Sequence, residues 1–259
     1  MKLLVNHQTH YQYSAPVMNS IQYIKIMPTN NQHQTVHYWD VSVPGEKCFK
    51  QDAFLNSWLT CRQNESYQHL MIMAQGMIEL NNTSVPQDMS KIELQIFLQP
   101  TFATLSSVEM RDFHHKNCQN NTRQQWIHLS EKLLEHMPYS PNITSVNTSA
   151  IDAFTSHQGV CQDHTHVLLA MARERGVPAR YVSGYLYANN SAHLASHAWA
   201  ELYLDGAWHC FDVSNQMFEP SAHVYIAIGR DYWDVAPVRG VRHQGGVESM
   251  NTIVQVLTC

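Results

Sequence analysis

Cys161 follows Gly159-Val160 and opens the best helical pattern in the chain, residues 161–175. A thiol at a helix N-terminus lies against the positive end of the macrodipole and beside unpaired N–H groups. That setting favours the thiolate, the form that attacks carbonyl carbon. Gly159 lets the backbone approach closely at the turn, which leaves the Cys161 N–H free to help bind an oxyanion. A thiol nucleophile also needs a base. His197 begins a strand pattern, Ser196-His197-Ala198-Trp199, and the next strand pattern ends in Cys210-Phe211-Asp212. Asp205-Gly206 between them is a hairpin turn signal. Asp205 is eight residues past His197, and Asp212 is six past Gly206. Antiparallel pairing therefore brings imidazole and carboxylate near one another, within one or two residues of register. Such a carboxylate holds the imidazole tautomer and supports the imidazolium.

Other side chains compete for attention. The chain has 17 histidines, and Asp163, His164 and His166 cluster beside Cys161. His and Cys three apart share a helix face, as a zinc site needs. A third and fourth ligand have no evident source, so Asp163 and His166 are expected to hydrogen-bond locally and support the helix start. His114, His115 and Cys118 make a weaker metal pattern, read as solvated helix or loop. His193 is near His197 in sequence and is read as a flexible loop residue in preference to a cleft-lining one. Trp199 follows His197 by two and shares its sheet face, either walling the cleft or packing the core. Arg180 and the run Tyr181-Val182-Ser183-Gly184-Tyr185 look structural, with Gly184 permitting close backbone approach. Nothing in the sequence brings Tyr139 or Asp231 to the cleft, and no second oxyanion donor is assigned.

These groups need elements to hold them. The first part of the chain reads as short strands: residues 3–13, interrupted by Pro16, then 21–26, 36–43, 56–61 and 70–74. Their rhythm suggests an antiparallel sandwich. Residues 81–90 are polar, a loop or an arm. A boundary falls near residue 110. Helical patterns follow at 122–137, with Trp126, Leu129, Leu133 and Leu134 on one stripe, and at 149–156. The helix at 161–175 ends at Gly176 with Pro178 beyond. Strand patterns then cover 181–187, 197–204 and 207–213, with one more at 252–257. The second part is thus helix-then-sheet, an α+β arrangement.

The 259 residues carry 16 Lys+Arg against 21 Asp+Glu, a net charge of -5. A dedicated nucleic-acid binder would show a basic surplus or stripe, and no polybasic segment suits an anionic membrane. No apolar run approaches a membrane span. The N-terminus lacks a signal-peptide apolar region, so the cytoplasm is the expected location. The six cysteines are irregularly spaced and hold no C-x-x-C pair, against both a zinc knuckle and a secreted disulfide framework.

The segments GVCQDHTHVLLAMARERGVPARYVSGYL, SHAWAELYL, AWHCFDVSN and HVYIAIGRDYWDVAPVRGV resemble the bacterial transglutaminase-like family of cysteine proteases. The N-terminal stretch Tyr11–Val17 resembles the β domain that precedes the core in that family. The resemblance implies an N-terminal antiparallel β-sandwich-like domain over residues 1–110. A papain-like transglutaminase core follows over residues 111–259, its Cys-bearing helix packed on an antiparallel sheet and its C-terminal strand included. It implies Cys161 as nucleophile, His197 as base and Asp212 as orienting acid, with amide chemistry through a thioester. Water as acceptor gives hydrolysis of a peptide or isopeptide bond, the preferred reading. An amine gives transamidation, and a non-catalytic binding module on the same fold is the third alternative. No cofactor and no metal are implied. The expected partner is a peptide or protein amide substrate, with neither nucleic acid nor membrane, and the oligomeric state is open. Two departures stand out. Asp212-Val213-Ser214-Asn215 replaces a common Asp-Pro-Thr-Asn, and Asp52-Ala53-Phe54-Leu55-Asn56 replaces Asp-x-x-Gly-Asn.

Overall fold

The strand that begins the chain does not stop at Pro16. In the computed structural model, which describes residues 1–81, 92–188 and 196–259, β1 (Lys2–Met27) runs straight through it. Proline has no N–H to donate to a ladder. Pro16 sits where the pairing slips, between Gln12 and Val17 against one neighbour, and a second slip follows between Val17 and Asn19 against another. The slips change the buried face. Leu3, Val5, His7 and Thr9 point inward before them, and Ser20, Gln22, Ile24 and Ile26 after. That switch of phase is what a bulge produces, so one bent strand serves two halves of a sheet.

Four more strands follow: β2 (Gln34–Ser42), β3 (Glu46–Gln51), β4 (Ser57–Gln63) and β5 (Tyr67–Leu80). β5 pairs mainly with the first half of β1 and β4 with the second, while β2 and β3 lie outside them. Ile24, Leu59 and Cys61 from one half pack in one cluster with Val41, Leu70 and Ile72 from the other. The sheet is therefore folded over on itself as a sandwich. Most of the polar segment at 81–90 lies outside the described residues.

The core begins with α1 (Val108–Asn117), a helix that the sequence pattern does not announce because it buries only Met110 and His114. α2 (Arg123–His136) buries Trp126, Leu129 and Leu133 as expected. α3 (Ala150–Ser156) starts on a Ser149–Asp152 capping box. α4 (Cys161–Glu174) is buried on every side from Asp163 to Arg173. It packs against a four-stranded antiparallel sheet of β6 (Ala179–Leu186), β7 (His197–Leu204), β8 (Ala207–Phe211) and β9 (His223–Gly229) in the order β8-β7-β6-β9. The β7–β8 turn places Asp205 and Gly206 at φ 51° and 88°, the conformation its Asp-Gly signal called for.

After α5 (Tyr232–Val235) the chain leaves the core. β10 (Val238–Gln244) and β11 (Glu248–Thr258) return to the first sheet and pair with β1, for example Ile21 with Val241 and Thr9 with Thr252. The expected C-terminal strand forms, but it belongs to the first sheet and not to the core sheet. Alternation marks a strand without naming its partner. Here Val254 and Val256 join the cluster that holds Leu3 and Val5.

Gly184 lies at a slip in the β6–β9 pairing. A Cβ there would collide with the Val224 carbonyl oxygen and meet Trp199 at 2.8 Å. Gly184→Ala is expected to cost about 2–3 kcal/mol, since neither a backbone oxygen nor a buried indole can yield cheaply. Urea denaturation measures this, and a loss below about 0.5 kcal/mol, the range of surface substitutions, would refute it.

Candidate active site

Cys161 is the first residue of α4, and Val160 before it has extended backbone. The turn is fixed from behind. The Asp163 carboxylate accepts the Val160 N–H at 2.8 Å and the Thr144 hydroxyl at 2.6 Å. A Cβ on Gly159 would sit 2.7 Å from the Asp163 Cβ, so glycine is what lets this loop close. Asp163 thus supports the helix start as expected. His166 does not act locally: its Nε2 accepts the Tyr232 N–H at 3.2 Å, tying the helix to the start of α5.

His197 opens β7. Its Nε2 lies 2.7 Å from Asp212 Oδ2, and Cys161 is near enough to raise its pKa. With Nε2 on the carboxylate, Nδ1 is the nitrogen left for the thiol. Asp212 follows β8 by one residue, level with Trp199, so the carboxylate reaches His197 on the diagonal. The expected hairpin brings the pair together within the anticipated register. Trp199 resolves toward the core: it is wholly buried and stacks under His197 at 5.9 Å.

Asp212 holds more than one partner. His223 Nε2 lies 3.1 Å from the same Oδ2. Asn215 donates its backbone N–H to Oδ1 at 3.2 Å and its amide to Oδ2 at 2.9 Å. The reading of the sequence singled out neither residue. Asn215 stands in the quoted Asp-Val-Ser-Asn run. His223 opens β9, an apolar run between turns whose strand character was the available signal.

The Asp-Val-Ser-Asn departure leaves the site intact. Asp212 and Met217 exchange backbone hydrogen bonds at 2.9 and 3.1 Å, closing the turn without proline. Ser214 Oγ lies 2.8 Å from His164 Nδ1, whose Nε2 donates to the Met137 carbonyl. The other departure puts Leu55 at φ 63°, in the left-handed region where a glycine would fit without strain. Asp52 still closes that turn by accepting the Phe54 and Asn56 N–H groups.

The electrostatics sort the three titrating groups. Burial alone would depress His197, but its hydrogen bond to Asp212 and the nearby Asp212 and Cys161 charges override it and push it up to about 10. Burial alone would raise the Asp212 carboxyl, yet His197 and His223 hold it well below the usual carboxylate range. Burial dominates at His223 and lowers it despite the same carboxylate. A charged imidazole and a neutral one therefore share one carboxylate. Among the described residues this trio is also the one set of three or more metal-binding side chains whose ligand atoms converge, all within 4.8 Å. The 2.7 Å separation of His197 and Asp212 is shorter than the ~3.3 Å between two ligands on one tetrahedral zinc, so the geometry is that of hydrogen bonds. The two metal patterns read in the sequence do not converge. His164 is engaged with Ser214 and Met137, and Cys118 donates to the Asn120 carbonyl at 3.2 Å. His193 lies outside the described residues.

Cys161 and His197 open onto a cleft of about 430 Å³. Tyr139 lines it, half exposed; Asp231 instead caps α5 through the Trp233 and Asp234 N–H groups. One wall of the cleft comes from the first sheet, with His7 and Thr9 of β1 facing Met250 and Thr252 of β11. A thiol at a helix start, an imidazole between it and a buried carboxylate, and an open cleft suit nucleophilic attack on a carbonyl.

Comparison with known proteins gives this geometry relatives. Residues 113–213 match the transglutaminase-like superfamily, and residues 3–79 match the bacterial transglutaminase-like N-terminal region. An uncharacterized Mycobacterium leprae protein is 27% identical over 98% of both chains. An uncharacterized Mycobacterium tuberculosis protein is 28% identical over 49% of this chain and 44% of its own length. The crystal structure of a Cytophaga hutchinsonii protein, provisionally classed as a cysteine protease, superposes with a TM-score of 0.80. It is 22% identical and the match covers 99% of this chain and 90% of that one, which shows a shared fold.

Proposed function

The chain carries a core of the transglutaminase-like superfamily behind a bacterial transglutaminase-like N-terminal region, and on that premise we propose that it hydrolyses a peptide or isopeptide bond with Cys161 as nucleophile, His197 as base and Asp212 as orienting acid. The observation that carries the reading is the His197 ring, 2.7 Å from Asp212 and lining one cleft with Cys161 at the start of α4.

In the proposed cycle His197 starts as the imidazolium, its Nδ1 holding the proton given up by Cys161, and the thiolate adds to the amide carbon. The resulting oxyanion meets the Cys161 N–H at the positive end of α4. Collapse breaks the C–N bond. The departing amine takes the proton from His197, and a thioester remains on Cys161. Water then adds with His197 as base, the C–S bond breaks, and the thiol is restored. Asp212 keeps Nε2 protonated throughout and stabilises each imidazolium. Cys161 and His197 both keep part of their surface in solvent, so water reaches the thioester.

Iodoacetamide labelling, followed by mass spectrometry, tests the thiol. Burial pushes the thiols of Cys61, Cys118 and Cys210 up and shields them. Cys48 and Cys259 are exposed and serve as ordinary references. Cys161 is expected to react first, about tenfold or more ahead of those two, and to lose that lead in His197→Ala. Labelling of Cys161 no faster than Cys48 would remove the nucleophile. Breakdown of an acylated Cys161 in water alone supports hydrolysis, whereas breakdown only with an added amine assigns acyl transfer.

A further inference from the structure

Apart from the Cys161–His197 pair, the described residues that line the cleft carry no charge. Among the described residues that line it there is no Lys, Arg, Asp or Glu. One wall of the cleft is built by β1 and β11. Thr9 pairs with Thr252 and Tyr11 with Met250 across the β1–β11 ladder, and these four side chains face the cleft with His7. His7 is committed within the wall: Nδ1 lies 2.7 Å from the Tyr185 hydroxyl and Nε2 3.0 Å from Thr9 Oγ1. Burial lowers His7 to about 4, so it is neutral at physiological pH. Burial likewise raises Tyr11, Tyr139 and Tyr232, which keep their phenolic protons. Glu248 and Arg239 act on Tyr11 and Tyr232 from outside the lining, with opposing signs. Glu248 also faces Arg242 at 3.4 Å.

We propose that the β1–β11 wall is the subsite for the side chain preceding the reacting carbonyl, and that it takes uncharged residues and rejects acidic and basic ones alike. A charged side chain against this wall gives up part of its water and finds no counter-ion among the wall residues described. An uncharged one exchanges water for the threonine hydroxyls, the tyrosine rings and the Met250 thioether. The polar but neutral composition admits Gln or Asn as readily as Leu. The proposal rests on Cys161 as the nucleophile.

Three peptidyl chloromethyl ketones test it, identical except for Gln, Glu or Lys before the reactive group. The cysteine sulfur displaces chloride, forming a C–S bond. Alkylation of Cys161 is followed by intact mass and peptide mapping, and each rate is divided by the iodoacetamide rate of the same protein. The Gln probe is expected to exceed both charged probes by about 10-fold or more. Thr252 is exposed, so Thr252→Glu can place a carboxylate on the wall without disturbing the core. In that variant the Lys probe is expected to gain about 10-fold on the Glu probe. Equal rates for all three probes, or a Thr252→Glu protein with an unchanged Lys-to-Glu ratio, overturn the subsite and leave the thiol reading standing. Failure of every probe to alkylate Cys161 ahead of Cys48 overturns both.

Discussion

Asp212→Asn is expected to slow acylation of Cys161 by about four orders of magnitude while the protein stays folded. The carboxylate accepts from His197 and His223 at Oδ2 and from Asn215 at both oxygens. An amide has one accepting oxygen and one donating NH2. Whichever way it is turned, a donor meets a donor at one of these contacts. If the amide nitrogen faces His197, Nε2 must become an acceptor and the proton moves to Nδ1. The ring then offers the thiol an N–H where the reaction needs a lone pair. If the oxygen faces His197, the tautomer survives but the imidazolium loses its counter-charge, and His197 falls from about 10 toward its ordinary value. Either outcome disarms the base. Release of nitroaniline from a neutral peptidyl anilide reads the rate, and a thermal melt reads the fold. A rate within tenfold of wild type would remove Asp212 from the mechanism.

Glu201→Ala is expected to lose about 3–5 kcal/mol of stability, the largest structural penalty among these substitutions. Glu201 and Arg180 are only 1% and 2% exposed. Arg180 Nε donates to Glu201 Oε2 at 2.6 Å, and the Tyr225 hydroxyl donates to Oε1 at 2.8 Å. The guanidinium lies 4.3 Å over the Trp208 ring. Alanine removes the carboxylate and leaves the guanidinium charge in the sheet interior. For a chain of this size the loss corresponds to a Tm drop of roughly 10 °C. Replacing both partners, Arg180→Met with Glu201→Leu, is expected to restore most of it, because neither charge then needs solvation. Urea unfolding checks both proteins. A single-mutant loss under about 1 kcal/mol, the size of an exposed pair, would refute the argument.

The site was legible in sequence where its geometry is local. Asp205-Gly206 fixed a two-residue turn, and counting outward from it placed His197 against Asp212. Gly159 and Cys161 were legible because a helix start has its own chemistry. His223 was not, because its approach to Asp212 depends on β9 crossing to β6, and Val224 to Ile228 is a run without alternation to show which face is buried. The same limit explains β11, whose alternation announced a strand while its partner lay at the other end of the chain. Pro16 misled by its ordinary rule. A proline breaks a ladder, but at a bulge the missing N–H costs nothing, and β1 continued past it.

The pairing of Leu3 with Thr258 sets the timing of biosynthesis. β1 is synthesised well before β11, which flanks its first half on the side away from β5. At about 5–20 residues per second, β1 waits roughly 10–50 s for that neighbour. During this interval the helix bearing Cys161 and the core sheet can already assemble, but one wall of the cleft does not yet exist. The nascent chain thus holds an open ladder edge beside Leu3 and Val5, a surface for a chaperone to cover. The cleft beside its thiol is complete only when β11 docks.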